Sequence, residues 1–329
     1  MSAGAADVLR WLVIGIGDIT RRRVIPAILA SPRSRLQAIV TRDRAKAAEY
    51  PFSRAYSSLE EALDADGFDA VYVASPVFLH APQTLASLRA GKHVLCEKPT
   101  AMNLTEADAM VKAAAEAGRL FGVAYYRRLF PKLIRARQLI RAGAIGEPVL
   151  AEANCHSWME ITSGSGRNWL VDPSAAGGGP LYDIGSHRID ALNFLFDAPR
   201  QAVGITSNRI HGYAVEDSAT VLIQYAVGIH GVVDVRWNSR VARDQFRVIG
   251  SEGEINLDPL SGPELRYRGK QELLPAHENV HAPLIENFVS AVLDGAPLAC
   301  PGSDAILTDW VTAQVAPHAD APPRRSGVG

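Results

Sequence analysis

The alternation of short apolar runs with helix-like segments in the first 125 residues constrains the fold more than any other feature. Five strand-like runs, at 11–16, 36–40, 70–74, 94–95 and 120–124, alternate with segments of helical periodicity at 24–29, 45–50, 84–90 and 104–117. Parallel strands need a crossover connection, usually a helix, so this rhythm predicts a parallel sheet with helices on both faces. We therefore predict a doubly wound α/β domain over residues 1–125.

The rhythm changes after Pro148. Runs at 149–155, 202–210, 218–225, 229–237, 245–249 and 254–257 are strand-like and are joined by glycine-containing turns, with helical periods at 182–196 and 283–293. Consecutive strands without intervening helices predict an antiparallel sheet. We therefore predict an α+β domain over residues 126–317 with a mostly antiparallel open sheet, followed by a flexible tail at 318–329. The open sheet face favours a homodimer or homotetramer.

Charge and cysteine content exclude several classes of function. The chain has 34 Lys and Arg against 35 Asp and Glu, so no long-range field favours nucleic acid or an anionic membrane. No apolar run approaches the ~18 residues that a membrane span needs. Three widely spaced cysteines suit a reducing compartment, so we expect a cytoplasmic protein. The adjacent Cys155 and His156 have no second ligand pair at metal spacing, and we expect no metal site.

The first strand runs into the turn Gly15-Ile16-Gly17, directly before a helical segment. In a dinucleotide-binding domain the first glycine permits the tight turn and the second lets the pyrophosphate approach the backbone. The helix amino terminus, here Asp18, Ile19 and Thr20, supplies N–H groups and positive dipole. Thr20 stands where a third small residue is expected, so an ordinary βα turn remains the alternative.

Thr41 and Arg42 follow the second strand, where an acidic residue would normally bind the ribose of NAD. A hydroxyl beside a guanidinium suits a 2′-phosphate, because arginine offers phosphate a charged fork of donors. This pair predicts NADP, with NAD possible. In the alternative, Asp43 binds the ribose and Arg42 is a solvated loop charge.

Lys98 lies at the exit of the 94–95 strand, in the sequence Glu97-Lys98-Pro99. This is next to the expected nicotinamide position, where a lysine can exchange a proton with a reacting oxygen. Partial burial and a nearby cofactor can lower the pKa of a lysine toward neutrality, where it works best as acid or base. Glu97 could orient neighbouring groups. The alternative is a surface turn.

Three glycines at 177–179 precede a helical segment that carries Asp183 and His187. Their spacing of four residues places both on one helical face. A carboxylate and an imidazole beside a cleft can anchor hydroxyls and relay a proton. In the alternative, Asp183 caps the helix and His187 pairs with it or with Asp190.

Taken in order, the Gly15-x-Gly17 turn, the segment from 74 to His80, the 90–99 string and the 177–190 string resemble the Gfo/Idh/MocA oxidoreductase family. The resemblance covers residues from about 12 to 310. It implies an amino-terminal Rossmann domain and a carboxy-terminal sheet domain that commonly mediates dimerisation. It also implies hydride transfer to or from sugars, inositols or similar polyols.

The resemblance also implies roles for individual residues. The catalytic lysine falls on Lys98, and the substrate-binding, proton-relaying aspartate and histidine fall on Asp183 and His187. Contacts to the nicotinamide side are implied for Ser75, His80, Glu97 and the segment from Tyr126 to Arg128, and Tyr126 is also an implied substrate contact. Val77 and Tyr126 depart from the residues that are frequent in the family, which leaves the substrate open. Thr41 and Arg42 are most similar to NADP-using sugar reductases and dihydrodiol dehydrogenases of the family.

Two other functions fit a chain of this kind. One is a dinucleotide-binding sensor without catalysis. The other is a redox-neutral glycosidase or epimerase that keeps NAD tightly bound and returns the hydride. The joint presence of Lys98, Asp183 and His187 argues against the sensor.

Overall fold

The computed structural model describes residues 8–51, 53–162 and 166–315; the tail predicted at 318–329 lies outside them. Its first sheet, within these residues, has six parallel strands in the order β3-β2-β1-β4-β5-β6. They are β1 (Leu9–Ile14), β2 (Ser34–Val40), β3 (Arg54–Tyr56), β4 (Ala70–Val73), β5 (His93–Cys96) and β6 (Phe121–Val123). The doubly wound parallel sheet is confirmed.

Helices connect these strands, as the alternating pattern predicts. They are α1 (Ile25–Ala30), α2 (Arg44–Ala48), α3 (Leu59–Ala65), α4 (His80–Arg89) and α5 (Leu104–Ala117). A π-helical turn, Thr20–Val24, leads into α1, and a 3-10 turn, Val77–Leu79, leads into α4. At α5, the Asn103 side chain caps the amino terminus and Gly118 ends the helix at φ +60°.

From Trp11 to Ile14, strand β1 is buried on both faces, which explains why this part of its sequence is apolar throughout. Leu12 and Ile14 pack into the core on one side of the sheet. Trp11 and Val13 pack into the core on the other side. A central strand of a parallel sheet is covered by helices on both sides, so neither set of side chains can be polar.

The second sheet has eight strands among the described residues, in the order β14-β13-β12-β11-β7-β10-β9-β8. They are β7 (Pro148–Trp158), β8 (Pro199–Ser207), β9 (Ser218–Tyr225), β10 (His230–Arg236), β11 (Asn238–Gly250), β12 (Gly253–Asn256), β13 (Glu264–Tyr267) and β14 (Lys270–Leu273). Its neighbours pair antiparallel except β7 and β10, which are parallel. The mostly antiparallel sheet is confirmed, and the central parallel pair is an addition to the prediction.

Five helices accompany this sheet in the described part of the chain: α6 (Pro131–Arg141), α7 (Pro173–Ala176), α8 (Ser186–Phe196), α9 (Ala282–Asp294) and α10 (Gly302–Val315). Shorter turns are the 3-10 segments Tyr126–Leu129 and Asn168–Val171 and the π-helical turn Leu181–Gly185, which leads into α8. Helices α6 and α8 pack on the inner face of the sheet, in one core with its buried side chains. The outer face has no such cover among the described residues.

Helices α9 and α10 pack back against the first sheet. The Phe288 ring of α9 lies 5.2 Å from the ring of Trp11 in β1. In α10, Ala305 belongs to the core of the first sheet, whereas Val311 and Val315 belong to the core of the second. The division of the chain into domains at 125/126 stays a prediction, because α9 returns to the first sheet and α10 enters both cores.

Among the described residues, no helix combines the length and apolar character that crossing a bilayer requires.

Candidate active site

The turn after β1 lies at the edge where the parallel strands end, beside the point at which the strand order reverses between β1 and β4. Ligands of such sheets bind in the crevice at this point. Gly15 has a φ of +87°, and a Cβ there would lie 2.7 Å from the carbonyl oxygen of Ala74. Gly17 has open space where its Cβ would be. Only glycine fits the first position, and the second leaves room for a ligand.

The helical segment after this turn presents its amino terminus to the same space. Asp18 and Ile19 are exposed and begin the segment. Thr20 is fully buried, and its hydroxyl donates to the Gly17 carbonyl at 2.9 Å. Thr20 is therefore held inside the turn, while Asp18 and Ile19 before it are exposed to the open space. The turn, the open space and the helix terminus fit a dinucleotide pyrophosphate.

Thr41 and Arg42 follow β2 at the same edge. Arg42 is exposed, and the Thr41 hydroxyl accepts a hydrogen bond from the Asp43 N–H. Asp43 caps α2, because its Oδ1 accepts from the N–H groups of Ala45 and Lys46. This cap occupies one oxygen of the carboxylate that the NAD alternative assigns to the ribose, whereas Arg42 stays available to a phosphate.

His80 lies in the interior, in contrast to its predicted contact with the nicotinamide side. Its Nδ1 lies 2.9 Å from the Pro99 carbonyl oxygen and its Nε2 lies 3.0 Å from that of Ser75. Burial lowers the pKa of His80, and the two carbonyl groups offset only part of that effect. Both nitrogens are occupied, so His80 ties the end of β4 to the end of β5. Ser75 remains half-buried at the edge, with its hydroxyl on Gln83 Oε1.

Lys98 and Asp183 meet across the cleft between the two sheets. The Lys98 Nζ lies 2.8 Å from Asp183 Oδ1 and 3.2 Å from the Asp183 carbonyl oxygen. The two side chains are 17% and 31% exposed, so the pair is accessible from the cleft. Lys98 is followed by a cis peptide bond to Pro99. The alternative of a surface turn at Lys98 is wrong.

The expectation of a lowered pKa for Lys98 is wrong. Burial acts to lower this pKa, but the charge and hydrogen bond of Asp183 act in the opposite direction, and Glu97 adds to them. The result is a pKa above the ordinary lysine value. Lys98 therefore carries an ammonium group at neutral pH.

Glu97 is buried directly beneath Lys98. Its Oε1 accepts the Tyr72 hydroxyl at 2.7 Å and lies 3.4 Å from His281 Nε2, and its Oε2 accepts the Lys98 N–H. Burial acts to raise the pKa of Glu97, but His281 and Tyr72 overcome this and hold the pKa below its ordinary value. Glu97 is a buried carboxylate that fixes the backbone of Lys98.

Asp183 lies in the π-helical turn, not in α8, so the predicted α-helical face is only approximate. A Cβ on Gly179 would lie 2.0 Å from the Glu216 carbonyl oxygen, and one on Gly178 would meet the Tyr182 ring at 2.2 Å. The glycines thus let the turn sit against the loop before β9. The Asp183 carbonyl accepts Lys98 Nζ and the Ser186 hydroxyl. π-Helical turns of this kind are frequent at functional sites.

His187 lies at the start of α8, beside the Lys98 ammonium. Its ring packs edge-on against Tyr125 at 5.8 Å and Tyr126 at 5.1 Å between centroids. Burial lowers the pKa of His187 well below its ordinary value, and the charges of Lys98 and Arg127 lower it further. Its Nδ1 is buried without a hydrogen-bond partner among the described residues. His187 is therefore a neutral imidazole.

The capping alternative for Asp183 and His187 is wrong. Asp183 pairs with Lys98, and Asp190 pairs with Arg128. The Tyr126 ring lies 5.1 Å from the His187 ring and 5.0 Å from the His281 ring between centroids, and its role as a substrate contact stays a prediction.

Arg128 does not face the cleft, in contrast to its predicted cofactor contact. Its side chain is 4% exposed. Its Nε and Nη2 donate to Asp190, and its Nη1 donates to the Ala299 carbonyl and to Asp304. All three nitrogens are occupied, so Arg128 is a structural ion-pair partner.

Cys155 and His156 point to opposite faces of β7, as neighbours on a strand do. His156 pairs with Asp234 at 2.8 Å, on the face away from Cys155.

The site residues that the sequence did not predict surround the predicted residues. His281 contacts Glu97 and Tyr126, and Arg188 places positive charge near His187. Arg127, which lies within the implied segment from Tyr126 to Arg128, adds to this charge. His281 lies just before α9, far from every motif, and carries no local signal. Arg188 stands next to His187, and this adjacency was the available hint.

Comparison with known proteins agrees with this geometry. Residues 9–125 match the model of an oxidoreductase family with an NAD-binding Rossmann fold, and residues 133–256 match the Gfo/Idh/MocA C-terminal domain. The chain is 32% identical to 1,5-anhydro-D-fructose reductase of Ensifer adhaerens, over 90% of this chain and 92% of that protein. It is 30% identical to trans-1,2-dihydrobenzene-1,2-diol dehydrogenase of Mus musculus, over 81% and 80%.

A solved structure shows the same architecture. The aldose-aldose oxidoreductase of Caulobacter crescentus, complexed with glycerol, superposes with a TM-score of 0.83 at 25% identity, over 93% of this chain and 97% of that one. The two sheets of the fold agree with the two matched family domains. The chain belongs to the Gfo/Idh/MocA family of NAD(P)-dependent oxidoreductases.

Proposed function

We propose that this protein reduces a ketone of a sugar or polyol with NADPH, or oxidises the corresponding alcohol, with Lys98 as the proton donor. The observation that carries the proposal is the contact of Lys98 with Asp183, beside a neutral His187, at the edge where the dinucleotide turn lies. The names of the relatives, a sugar ketone reductase and a diol dehydrogenase, support this substrate class.

The protein groups have separate roles in the proposed reduction. The nicotinamide supplies the hydride when bound. Lys98 delivers a proton to the carbonyl oxygen, which becomes a hydroxyl, and is reprotonated from solvent. Its raised pKa keeps this proton in place until the oxygen becomes more basic. Asp183 holds the ammonium and accepts a neighbouring substrate hydroxyl.

His187 orients the substrate in this scheme. Its pKa lies well below neutrality, so it holds no acidic proton at pH 7, and Lys98 is left as the proton donor. A neutral imidazole accepts a hydrogen bond through one nitrogen and donates through the other. His187 can therefore fix one hydroxyl of a polyol without changing its charge.

The test is the consumption of NADPH with a panel of sugar ketones, for the wild type and Lys98→Met. Acid–base catalysis contributes about 10²–10⁴-fold, so turnover should fall by that factor while NADPH binding persists. Lys112→Met is the matched control, because Lys112 is an exposed lysine of α5 paired with Asp108. Normal turnover in Lys98→Met contradicts the assignment.

The same assay separates the two other functions. Product formation from a tightly retained cofactor, with no net NADPH consumption, would indicate a redox-neutral glycosidase or epimerase. NADPH binding without turnover of any sugar would indicate a sensor.

We propose NADP as the preferred cofactor. The support is the exposed Arg42 beside Thr41, together with the engagement of Asp43 as a helix cap. Titration of the fluorescence with NADPH and NADH should show tighter NADPH binding, and Arg42→Ala should remove the difference. Arg35→Ala, an exposed arginine at the other end of β2, should leave it unchanged. Tighter NADH binding in the wild type would reject NADP.

We propose a homodimer or homotetramer that covers the outer face of the second sheet. On that face, Val203 and Ile205 of β8 are 50% and 77% exposed, and Leu222 of β9 pairs with Val203 and is 48% exposed. Apolar side chains clustered on an open sheet favour association. Light scattering should give a multiple of 35.4 kDa, and Ile205→Glu should lower it. A monomeric wild type would reject the proposal.

We propose the cytoplasm as the compartment. The three cysteines are free thiols, two of them buried, which suits a reducing environment.

A further inference from the structure

A group of cationic side chains lies behind His187, between the 3-10 turn at 126–129, α6, α8 and the inner face of the second sheet. Its members are Arg127, Lys132 and Arg188: Arg188 lowers the pKa of Arg127, and both arginines lower the pKa of Lys132. The nearby carboxylates are Asp244 and Asp258. We call these three cations the basic cluster.

Each guanidinium group of the basic cluster has at least one buried nitrogen without an acceptor among the described residues. Arg188 is 2% exposed; its Nη2 donates to Asp244 Oδ1 at 2.6 Å, but its Nε and Nη1 are buried without a partner among the described residues. Arg127 donates through Nη1 to the Ser261 hydroxyl at 3.2 Å, and its Nε has no partner. Buried donors without acceptors are costly and rare.

The charges of the basic cluster do not balance. Lys132 donates to the carbonyl oxygens of Leu257 and Pro259, which carry no formal charge. Burial, together with the charges of Arg127 and Arg188, lowers the pKa of Lys132 to about 8 against the opposing effect of Asp244 and Asp258. Three cations face two carboxylates, so one positive charge lacks a counterion, and a bound monoanion would neutralise it.

The basic cluster is continuous with the reaction site. The Arg127 guanidinium lies 5.5 Å from the centre of the Tyr126 ring, and the Tyr126 ring lies 5.1 Å from that of His187. Arg127 is half-buried, unlike Arg188, and is therefore the member that a ligand in the cleft can reach. Arg188 adds positive potential behind it.

We propose that Arg127 is the ligand-facing residue of a carboxylate subsite, so that the substrate is an acidic sugar derivative such as a hexuronate or aldonate. The planar fork of arginine binds a carboxylate through two parallel hydrogen bonds. The carboxylate subsite rests on the proposed function in one respect: it is placed in the same cleft as the proposed reaction. Lys98 acts on the reacting carbon, and Arg127 holds the acidic end.

The test measures binding without turnover. NADPH-loaded protein is titrated calorimetrically with D-glucuronate against D-glucose, and with D-gluconate against D-glucitol; each pair differs by the acid group. The acid should bind at least about tenfold more tightly, because hydrogen bonds between charged groups contribute more than neutral ones. Arg127→Gln should remove this preference. Arg135→Gln should retain it, because Arg135 is a more exposed arginine of α6 paired with Glu272.

Arg127→Lys keeps the charge without the fork, so it should retain part of the preference and also serves if the glutamine variant does not fold. Equal or weaker binding of the acids, no saturable binding of either acid, or a preference that survives in a folded Arg127→Gln protein would overturn the proposal. Tighter binding of D-glucose 6-phosphate than of D-glucuronate would reassign the subsite to phosphate.

The outcome is independent of the catalytic proposal. If Lys98→Met turns over normally and the acid preference holds, the role of Lys98 is wrong and the subsite stands. If Lys98→Met is inactive and the acid preference is absent, the role of Lys98 stands and the carboxylate subsite is wrong.

Discussion

Asp309 is a buried acidic residue of α10 whose carboxylate lacks a full set of hydrogen-bond partners among the described residues. It is 8% exposed, and its Oδ2 has no hydrogen-bond partner among the described residues. Burial raises the pKa of Asp309 to about 7, and the Asp190 carboxylate adds to this rise. Above pH 7 the folded protein therefore carries a charge that the interior disfavours.

We predict that Asp309→Asn stabilises the protein more at pH 8 than at pH 5. The folded pKa lies above the unfolded one, so the folded state binds more protons between about pH 4 and 7 and loses stability as the pH rises through that range. At about 1.4 kcal/mol per pH unit, the increase in the free energy of unfolding caused by Asp309→Asn should be roughly 2–3 kcal/mol larger at pH 8 than at pH 5. Denaturant unfolding at both pH values measures it. An equal gain at both would contradict the raised pKa.

Arg128 gives a second prediction at this scale. Arg128→Met leaves Asp190 buried and uncompensated, so the free energy of unfolding should fall by about 3–5 kcal/mol. NADPH affinity of the folded protein should stay unchanged, because the arginine faces the interior. Arg137→Met, whose partner Asp197 is exposed, is the control. A loss of NADPH affinity at unchanged stability would restore the cofactor role.

Residue roles were predictable from the sequence only where a motif marks them. Lys98 and Asp183 are 85 positions apart, and the structure pairs them. The 90–99 segment marks Lys98 and the 177–190 segment marks Asp183, so both residues could be predicted. Arg128 and His80 lie within motif segments too, but their partners are fixed by the fold: Asp190 is 62 positions from Arg128. A local string cannot show which side of a turn faces inward.

At the scale of elements, the π-helical turn that carries Asp183 depends on the glycines before it. We predict that Gly179→Ala lowers turnover and stability together, because its Cβ would lie 2.0 Å from the Glu216 backbone carbonyl and would displace the turn. Turnover and unfolding are measured against Gly253→Ala, whose Cβ would meet only ordinary contacts at 3.9 Å. Wild-type turnover in Gly179→Ala would show that the turn tolerates displacement.

Elements were predictable where their sequence has a clear period and clear ends. α5 begins and ends where the pattern places it, because Asn103 and Gly118 cap an amphipathic segment. Helix α10 was not predicted from the sequence, because its apolar residues do not lie on one face of the helix. Ala305 and Val311 enter different cores. The parallel pairing of β7 with β10 has no local signal, since it joins strands distant in sequence.

At the scale of the whole molecule, α9 packs on the first sheet and leads into α10, which enters both cores. We predict that Phe288→Ala lowers the free energy of unfolding by about 3–5 kcal/mol, the cost of removing a buried aromatic side chain. Hydrogen exchange should rise in β1 and also in the second sheet, because the helix precedes α10, which enters both cores. Phe78→Ala, 45% exposed, should change neither. Faster exchange confined to β1 would indicate two independent units.

The return of α9 and α10 to the first sheet also limits how such enzymes can be recombined. A chimera that joins residues 1–125 of a relative to the remainder of this chain would place a foreign strand against Phe288 and a foreign helix against α10. Cofactor preference is therefore better transferred by grafting the short segment around Thr41 and Arg42 than by exchanging the whole amino-terminal half. Exchange of the residues of one surface loop alone would leave both cores intact.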